Sequence, residues 1–306
     1  MKILVATEKP FAAVAVNGIR EVVEAAGHTL SLLEKYTDKA QLLSAVADAD
    51  ALIIRSDKVD EEVLSAAKNL KIVVRAGAGY DNVDLAAATA HKVVVENTPG
   101  QNSNAVAELV FGMLVMAVRN MYAGTSGSEL KGKRLGIHAF GQVGRNVARI
   151  AKGFGLEVSA LDPYCPDSVM QEAGVAPLHD IKQLYADNKF VSLHIPATAE
   201  TRGSVGYDLI TLLPKDGVLI NTARKEVIDE AGLAKALEER QDLKYVADIR
   251  PDIADDLLAR FPGRVFFTPK KMGAQTAEAN INAGIAAARQ VVSFFTSGDT
   301  KFQVNK

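Results

Sequence analysis

Ala139-Phe140-Gly141-Gln142-Val143-Gly144 stands directly behind a strand-like run, 134–138, and opens a helical stretch through Arg149. A second strand-like run, 157–161, follows and ends at Asp162. This order of strand, glycine turn, helix, strand and acid is that of a dinucleotide-binding fingerprint. Gly141 lets the backbone approach a pyrophosphate and Gly144 lets helix and strand pack closely, with Gln142 and Val143 between them. The helix N-terminus attracts the anion. The first fingerprint glycine is replaced by Ala139, so the tight turn must accommodate a Cβ. Asp162 accepts hydrogen bonds from ribose hydroxyls and repels a 2′-phosphate, and Pro163 and Tyr164 bring no arginine to receive one. The expected cofactor is therefore NAD rather than NADP.

Two further cations end strand-like runs: Arg55, followed by Ser56, and Arg75, followed by Gly77 and Gly79. Guanidinium groups beside the N–H groups of a glycine turn suit a phosphate, with ion pairing to Asp57 or Asp81 as the structural alternative. His28, His91, His138 and His179 have no triad or metal spacing and are assigned structural or surface roles, and no metal site is expected. His194, ahead of Ile195-Pro196, falls at a strand end near the nucleotide. Cys165 stands alone and can form neither an intramolecular disulfide nor a zinc cluster.

The elements that must position these residues follow one rhythm. Runs rich in Val, Ile and Leu occupy 3–6, 52–55, 72–75 and 93–96, then 134–138, 157–161, 191–195, 218–222, 245–248 and 265–268. Helix-length segments such as 11–26 and 233–240 separate them. Near-continuous apolar runs mark strands buried on both faces of a parallel sheet, so the predicted class is doubly wound α/β. The 306 residues match about two domains at roughly 150 residues each. Long helical patterns at 105–122 and 276–295, with a polar turn at 97–104 and a small-residue linker at 123–128, predict an insertion. A Rossmann nucleotide domain, 100–283, would interrupt a flavodoxin-like substrate domain made of 1–99 and 284–306.

Composition sets outer limits. With 48% hydrophobic residues, 24% charged and a net charge of -2, disorder is excluded. No basic excess offers itself to nucleic acid or an anionic membrane. The apolar stretch 109–118 falls short of the ~20 residues a membrane span needs. The start of the chain carries no secretory pattern, and the expected setting is the cytoplasm.

Around these residues the chain resembles the D-isomer-specific 2-hydroxyacid dehydrogenases over essentially its whole length. The resemblance rests on Ile54-Arg55-Ser56, the run RAGAGYDNVD at 75–84, Asn97-Thr98-Pro99 and Val106-Ala107-Glu108-Leu109. It continues through Ser192-Leu193-His194-Ile195-Pro196, Asn221-Thr222-Ala223-Arg224, Ala247-Asp248, and Thr268-Pro269 leading to Gly273. Each is weak alone; their joint order is specific. The resemblance implies that Arg224 is the catalytic arginine, and a planar guanidinium suits a 2-oxo carboxylate and its carbonyl. It implies that Thr222 and Ala223 lie along the nicotinamide and that Asp248 meets its carboxamide, with Ile195, Pro196 and Gly273 also on the cofactor.

Two departures from the family pattern stand out. The Glu that charges the catalytic histidine in most members is replaced by Ile253, and Asp252 is the nearest acid. The histidine itself is missing from Thr268-Pro269-Lys270-Lys271-Met272-Gly273. Counted from Pro269, Lys270 takes its place; counted back from Met272-Gly273, Lys271 does, and the second anchor is preferred. A solvated lysine pair is the alternative. A lysine is already a cation and needs no carboxylate partner, but its ordinary pKa near ~10.4 must fall before it can accept a proton. Burial beside Arg224 and an oxidised nicotinamide is expected to lower it.

Within the family the chain is most similar to members that oxidise 3-phospho-D-glycerate to 3-phosphohydroxypyruvate with NAD, the first step of serine biosynthesis, in a lysine-bearing form. There the arginines matching Arg55 and Arg75 approach the substrate phosphate. The resemblance also implies a homodimer built on the helix 105–122, and a tail, 296–306, too short for the serine-binding regulatory domain of longer members. The alternatives are a glyoxylate or hydroxypyruvate reductase of the same family, and a non-catalytic NAD-sensing interaction protein.

Overall fold

The computed structural model describes residues 1–305, in two compact units. Unit 1 is Met1–Asn102 with Gln275–Lys306, and unit 2 is Ser103–Ala274. The second junction lies earlier than the expected 283/284. The reason is the helix Ala277–Ser297, capped by the Thr276 side chain, which accepts from the Ala279 N–H. Its Ala283, Ala287, Ala288 and Val291 all enter a unit 1 core, so the helix cannot be divided in its first half.

Unit 1 is a parallel sheet of β1 (Lys2–Thr7), β2 (Thr29–Glu34), β3 (Ala51–Ile54), β4 (Ile72–Arg75) and β5 (Val94–Asn97) in the order β2-β1-β3-β4-β5. This is the flavodoxin winding. Alternate residues enter opposite cores. Ile3, Val5, Ile53 and Val74 face the side that holds Ala283 and Ala287; Leu4, Ala6, Leu52 and Val73 face Leu42, Val63 and Ala88. Burial on both faces accounts for the continuous apolar runs. The strand β2 escapes that signature because it is an edge strand with no fully buried residue.

Unit 2 is a seven-stranded parallel sheet: β6 (Arg134–His138), β7 (Glu157–Leu161), β8 (Ala176–Pro177), β9 (Phe190–Leu193), β10 (Val218–Asn221), β11 (Lys244–Ala247) and β12 (Val265–Phe267). Its order is β12-β11-β10-β9-β6-β7-β8, the Rossmann winding extended by one strand. Helix Ser103–Val118 covers one face with Val110, Phe111 and Leu114. It stops four residues short of the expected end, because Asn120, Met121 and Tyr122 have φ of 52°, 54° and 57°. Three left-handed residues in a row cannot continue a right-handed helix. Among the described residues, no helix is long and apolar enough to cross a membrane.

Candidate functional site

Strand register builds one rim. His138, Leu193, Asn221, Ala247 and Phe267 pair in succession across β6, β9, β10, β11 and β12, and Leu161 pairs with His138. The residues that follow these strand ends are therefore neighbours along the carboxyl edge. The order reverses between β6 and β9, where ligands of open α/β sheets bind.

The fingerprint turn sits at that reversal. Ala139 has φ +81°, a region that suits glycine, so the missing first glycine leaves real strain of about 1 kcal/mol. A Cβ on Gly144 would lie 2.4 Å from the Ala139 carbonyl oxygen, which explains the glycine there. A Cβ on Gly141 would meet nothing within 4 Å; the space beside it is open. Helix Gln142–Gly153 begins there without a side-chain cap, leaving its first N–H groups available to an anion. Val143 is half-buried and Gln142 exposed. Asp162 accepts from the Phe140 N–H at 2.8 Å and from the Tyr164 N–H at 2.9 Å, one donor on each oxygen. Each oxygen keeps capacity for a further donor.

His138 and His194 also lie at the reversal. His138 Nδ1 is 3.3 Å from the Tyr185 hydroxyl, and His194 Nε2 is 3.0 Å from Ser192 Oγ. Burial pushes His138 down to about 4. Burial, with His138 as neighbour, pushes His194 down to about 3. Both rings are neutral near pH 7. Beyond them Ile195 is buried and Pro196 exposed.

On β10, Asn221 shapes the turn that presents Arg224. Its Oδ1 accepts from the Ala223 N–H at 2.9 Å, and its Nδ2 donates to the Arg224 carbonyl at 3.0 Å. The guanidinium of Arg224 donates to the Ala223 carbonyl at 2.9 Å, and no acidic side chain among the described residues forms an ion pair with it. The buried Thr222 hydroxyl has no hydrogen-bond partner. Asp248, after β11, is fully buried and anchors the lysine-bearing loop. It accepts from the Met272 and Gly273 N–H groups, each at 2.7 Å, and lies 3.0 Å from the Thr268 hydroxyl. A Cβ on Gly273 would come 2.9 Å from that carboxylate. The expected role of Asp248 at a carboxamide thus sits beside an observed one, holding this loop.

Lys270 and Lys271 are both exposed. The burial expected to lower the pKa of Lys271 is not supplied by the chain itself. Ile253 is half-buried against a unit 2 core, and its N–H and that of Asp252 donate to the Glu230 carboxylate. Asp252 is exposed and pairs with Lys225.

At the carboxyl rim of unit 1, Ile54, Arg75 and Asn97 share one register row. Arg55 follows β3 at the point where the strand order reverses. Neither Asp57 nor Asp81 takes its guanidinium. Nη1 donates to the Lys9 and Pro10 carbonyls at 3.0 and 3.1 Å, Nη2 to Asn280 Oδ1 at 2.6 Å, and the group stacks on Phe11. Asp57 instead accepts from the Glu8 and Arg55 N–H groups and the Tyr36 hydroxyl, fixing the backbone of the rim. Arg75 Nε donates to the Arg55 carbonyl at 3.0 Å. Gly77 has φ +145°, and a Cβ there would strike Arg75 Nη1 at 1.5 Å, so glycine makes room for that guanidinium. Ser56 is exposed.

Several of these residues had no role assigned from sequence. Asn221 carries a weak signal, since an Asn two residues before a turn N–H forms an Asx-turn, as its Oδ1 does with the Ala223 N–H. Asn280 and Arg145 carry none: only the fold brings Asn280 to Arg55, and Arg145 to the Asp162 turn, where its Nη2 lies 3.8 Å from Cys165 Sγ. Pro163 and Tyr164 bring no arginine, and this one comes from another element.

The sequence profile of D-isomer specific 2-hydroxyacid dehydrogenase, catalytic domain, matches residues 9–305. The D-3-phosphoglycerate dehydrogenase of Methanocaldococcus jannaschii is 37% identical over 270 residues, 83% of this chain and 51% of that protein. The hydroxypyruvate reductase of Thermotoga maritima is 34% identical over 283 residues, 86% of this chain and 90% of that protein. The chain spans about half the length of the Methanocaldococcus and Mycobacterium D-3-phosphoglycerate dehydrogenases it matches. The crystal structure of NAD+-bound 3-phosphoglycerate dehydrogenase from Entamoeba histolytica has a TM-score of 0.88 and 49% identity, covering 100% of this chain and 99% of that one. With a rim of this geometry and these relatives, the chain belongs to the D-isomer-specific 2-hydroxyacid dehydrogenases.

Proposed function

We propose that the chain oxidises 3-phospho-D-glycerate to 3-phosphohydroxypyruvate, reducing NAD+ to NADH and releasing a proton. The observation that carries this reading is Arg224: a guanidinium without an acidic partner, on an Asn221-shaped turn, in the same rim as the loop that bears Lys271. The dinucleotide fits the residues present. Gly141 leaves open space, the helix behind it has free N–H groups, Asp162 keeps acceptor capacity, and the buried Thr222 hydroxyl lacks a partner. Ile195, Pro196, Ala223, Asp248 and Gly273 complete its surroundings, with Gln142 and Val143 in the turn. When bound, the nicotinamide supplies the hydride acceptor.

The chain's own work is positioning and proton transfer. Arg224 holds the substrate carboxylate and polarises the C2 oxygen. The Lys271 ammonium must first lose a proton; Nζ then takes the C2 hydroxyl proton during oxidation and returns it in the reverse direction, with Lys270 as its neighbour. Arg75 and Arg55 offset the phosphate charge, with Ser56 and Gly77 beside them.

A second reading, reduction of hydroxypyruvate or glyoxylate, is favoured by one observation: Arg55 already donates three hydrogen bonds within its own unit. The deciding experiment follows NADH consumption with phosphohydroxypyruvate, hydroxypyruvate and glyoxylate in parallel. The highest kcat/KM is expected with phosphohydroxypyruvate. A preference for hydroxypyruvate selects the second reading, and tight NADH binding without turnover on any of the three selects an NAD-sensing protein.

The same reading places the reaction at the start of serine biosynthesis, in the cytoplasm, in a homodimer. Helix Ser103–Val118 supports the dimer, since Leu109, Val115 and Met116 remain half-exposed and Gly112 faces open space. Light scattering on the purified chain is expected to return twice the monomer mass; a monomer at micromolar concentration overturns that part.

A further inference from the structure

Asp162 excludes a 2′-phosphate by its charge, and its sequence neighbours offer nothing to attract one. The fold brings a cation to the same place from another element. Arg145 lies in the first turn of helix Gln142–Gly153 and is exposed. Its side chain folds back over the fingerprint turn: Nε donates to the Phe140 carbonyl at 3.2 Å, and the guanidinium carbon lies 5.6 Å from the Phe140 ring centroid. Nη2 reaches to 3.8 Å from Cys165 Sγ. The Asp162 carboxylate accepts from the N–H of the same Phe140, and the Asp162 carbonyl accepts from the Cys165 N–H. Carboxylate and guanidinium therefore flank one pair of turns, and no acid among the described residues forms an ion pair with Arg145.

We infer that Arg145 is a receiver for the 2′-phosphate of a phosphorylated dinucleotide, its attraction offset by Asp162. The inference rests on reading unit 2 as the dinucleotide domain. A guanidinium presents five donors; Nε is engaged by a carbonyl and Nη2 only touches a thiol, so donors remain for phosphate oxygens. A 2′-phosphate between the two groups meets one attraction and one repulsion. Deleting the repulsion leaves the attraction uncovered, so the preference for NAD depends on one carboxylate in a site otherwise equipped for either cofactor.

The test measures dissociation constants of NADH and NADPH by fluorescence titration of the full chain, for the natural protein, Asp162→Ser, Arg145→Gln and the double variant. Asp162→Ser is expected to tighten NADPH about tenfold, and adding Arg145→Gln is expected to remove that gain. Equal NADPH affinity in Asp162→Ser and the double variant overturns the inference. Because Asp162 also holds the fingerprint turn, a second measurement leaves it in place. Arg145→Gln is expected to weaken 2′,5′-ADP about fivefold in low salt while 5′-AMP changes less than about twofold. Equal loss for both overturns the inference while leaving the dinucleotide reading intact; a natural chain that binds none of these ligands overturns both.

Discussion

The carboxyl rims of the two sheets each present an arginine just past a central strand, and the two are engaged very differently. Arg55 of unit 1 donates to two carbonyls and the Asn280 side chain and stacks on Phe11. Arg224 of unit 2 makes one bond, to the carbonyl next door. The first is woven into its fold and the second is merely presented by it. The residue type and the strand-end position are shared, so what separates a structural cation from one available to a ligand is the number of internal acceptors it already serves.

That contrast predicts opposite signatures on truncation, and the largest effect belongs to Arg224. Arg224→Ala is expected to lower kcat/KM by about 10³-fold or more, since a bidentate charge-assisted contact to the reacting group is lost. Its melting temperature should stay within about 2 °C of the natural chain, because little internal bonding goes with it. Arg55→Ala is expected to reverse the emphasis: stability falls by about 2 kcal/mol as two carbonyls and Asn280 lose their donor. Its KM for the phosphorylated substrate rises with smaller loss of kcat. Melting curves paired with steady-state kinetics on both variants check this; equal destabilisation by the two would break the comparison.

A smaller effect separates the neighbouring lysines. Lys271→Ala is expected to lose about 10²–10³-fold in turnover while retaining NADH binding, the range of a general acid–base contribution. Lys270→Ala should stay within about threefold. Stopped-flow turnover on each variant distinguishes them, and a larger loss from Lys270 would move the proton-transfer role one residue back.

How much of this was legible before folding differs between the rims too. In unit 2 the fingerprint, Asp162 and six of the seven strands were readable, because burying a strand on two faces forces a continuous apolar run and because pyrophosphate binding demands glycine at set spacings. The strain at Ala139 was foreseeable from the absent glycine. In unit 1 four of the five strands were equally visible, but the state of Arg55 was not: Asn280 is far away in sequence, and no local pattern announces a contact made by a returning helix. The same limit hid Arg145 beside Asp162. The edge strands β2 and β8 were missed for a different reason, since partial burial dilutes the apolar signal. Sequence therefore reports which residue types the rims carry, and long-range packing decides which of them are already occupied.

The two units also differ in how protons act on them. Glu96, on β5, is 1% exposed with Oε1 unpartnered; burial, with Asp299 nearby, pushes its pKa up to about 7 despite the Phe302 N–H it accepts. Folded unit 1 thus binds a proton more readily than the unfolded chain, and its stability falls as pH rises from the ordinary 4.5 through 7. In unit 2, His138 and His194 have pKa values pushed below the ordinary 6.5, so stability there is present above 6.5 and lost as pH falls toward 4. Glu96→Gln keeps an acceptor for Phe302 and removes the buried charge. It is expected to raise stability at pH 8 by at most about 3 kcal/mol, at roughly 1.4 kcal/mol per pKa unit, and by almost nothing near pH 4.5. Between those limits the variant should lose stability more steeply on acidification than the natural chain, because the histidines then act without the opposing glutamate. Chemical denaturation of both proteins from pH 5 to 8 reads this directly: a stability difference that stays constant across that range would mean Glu96 is not titrating inside the fold.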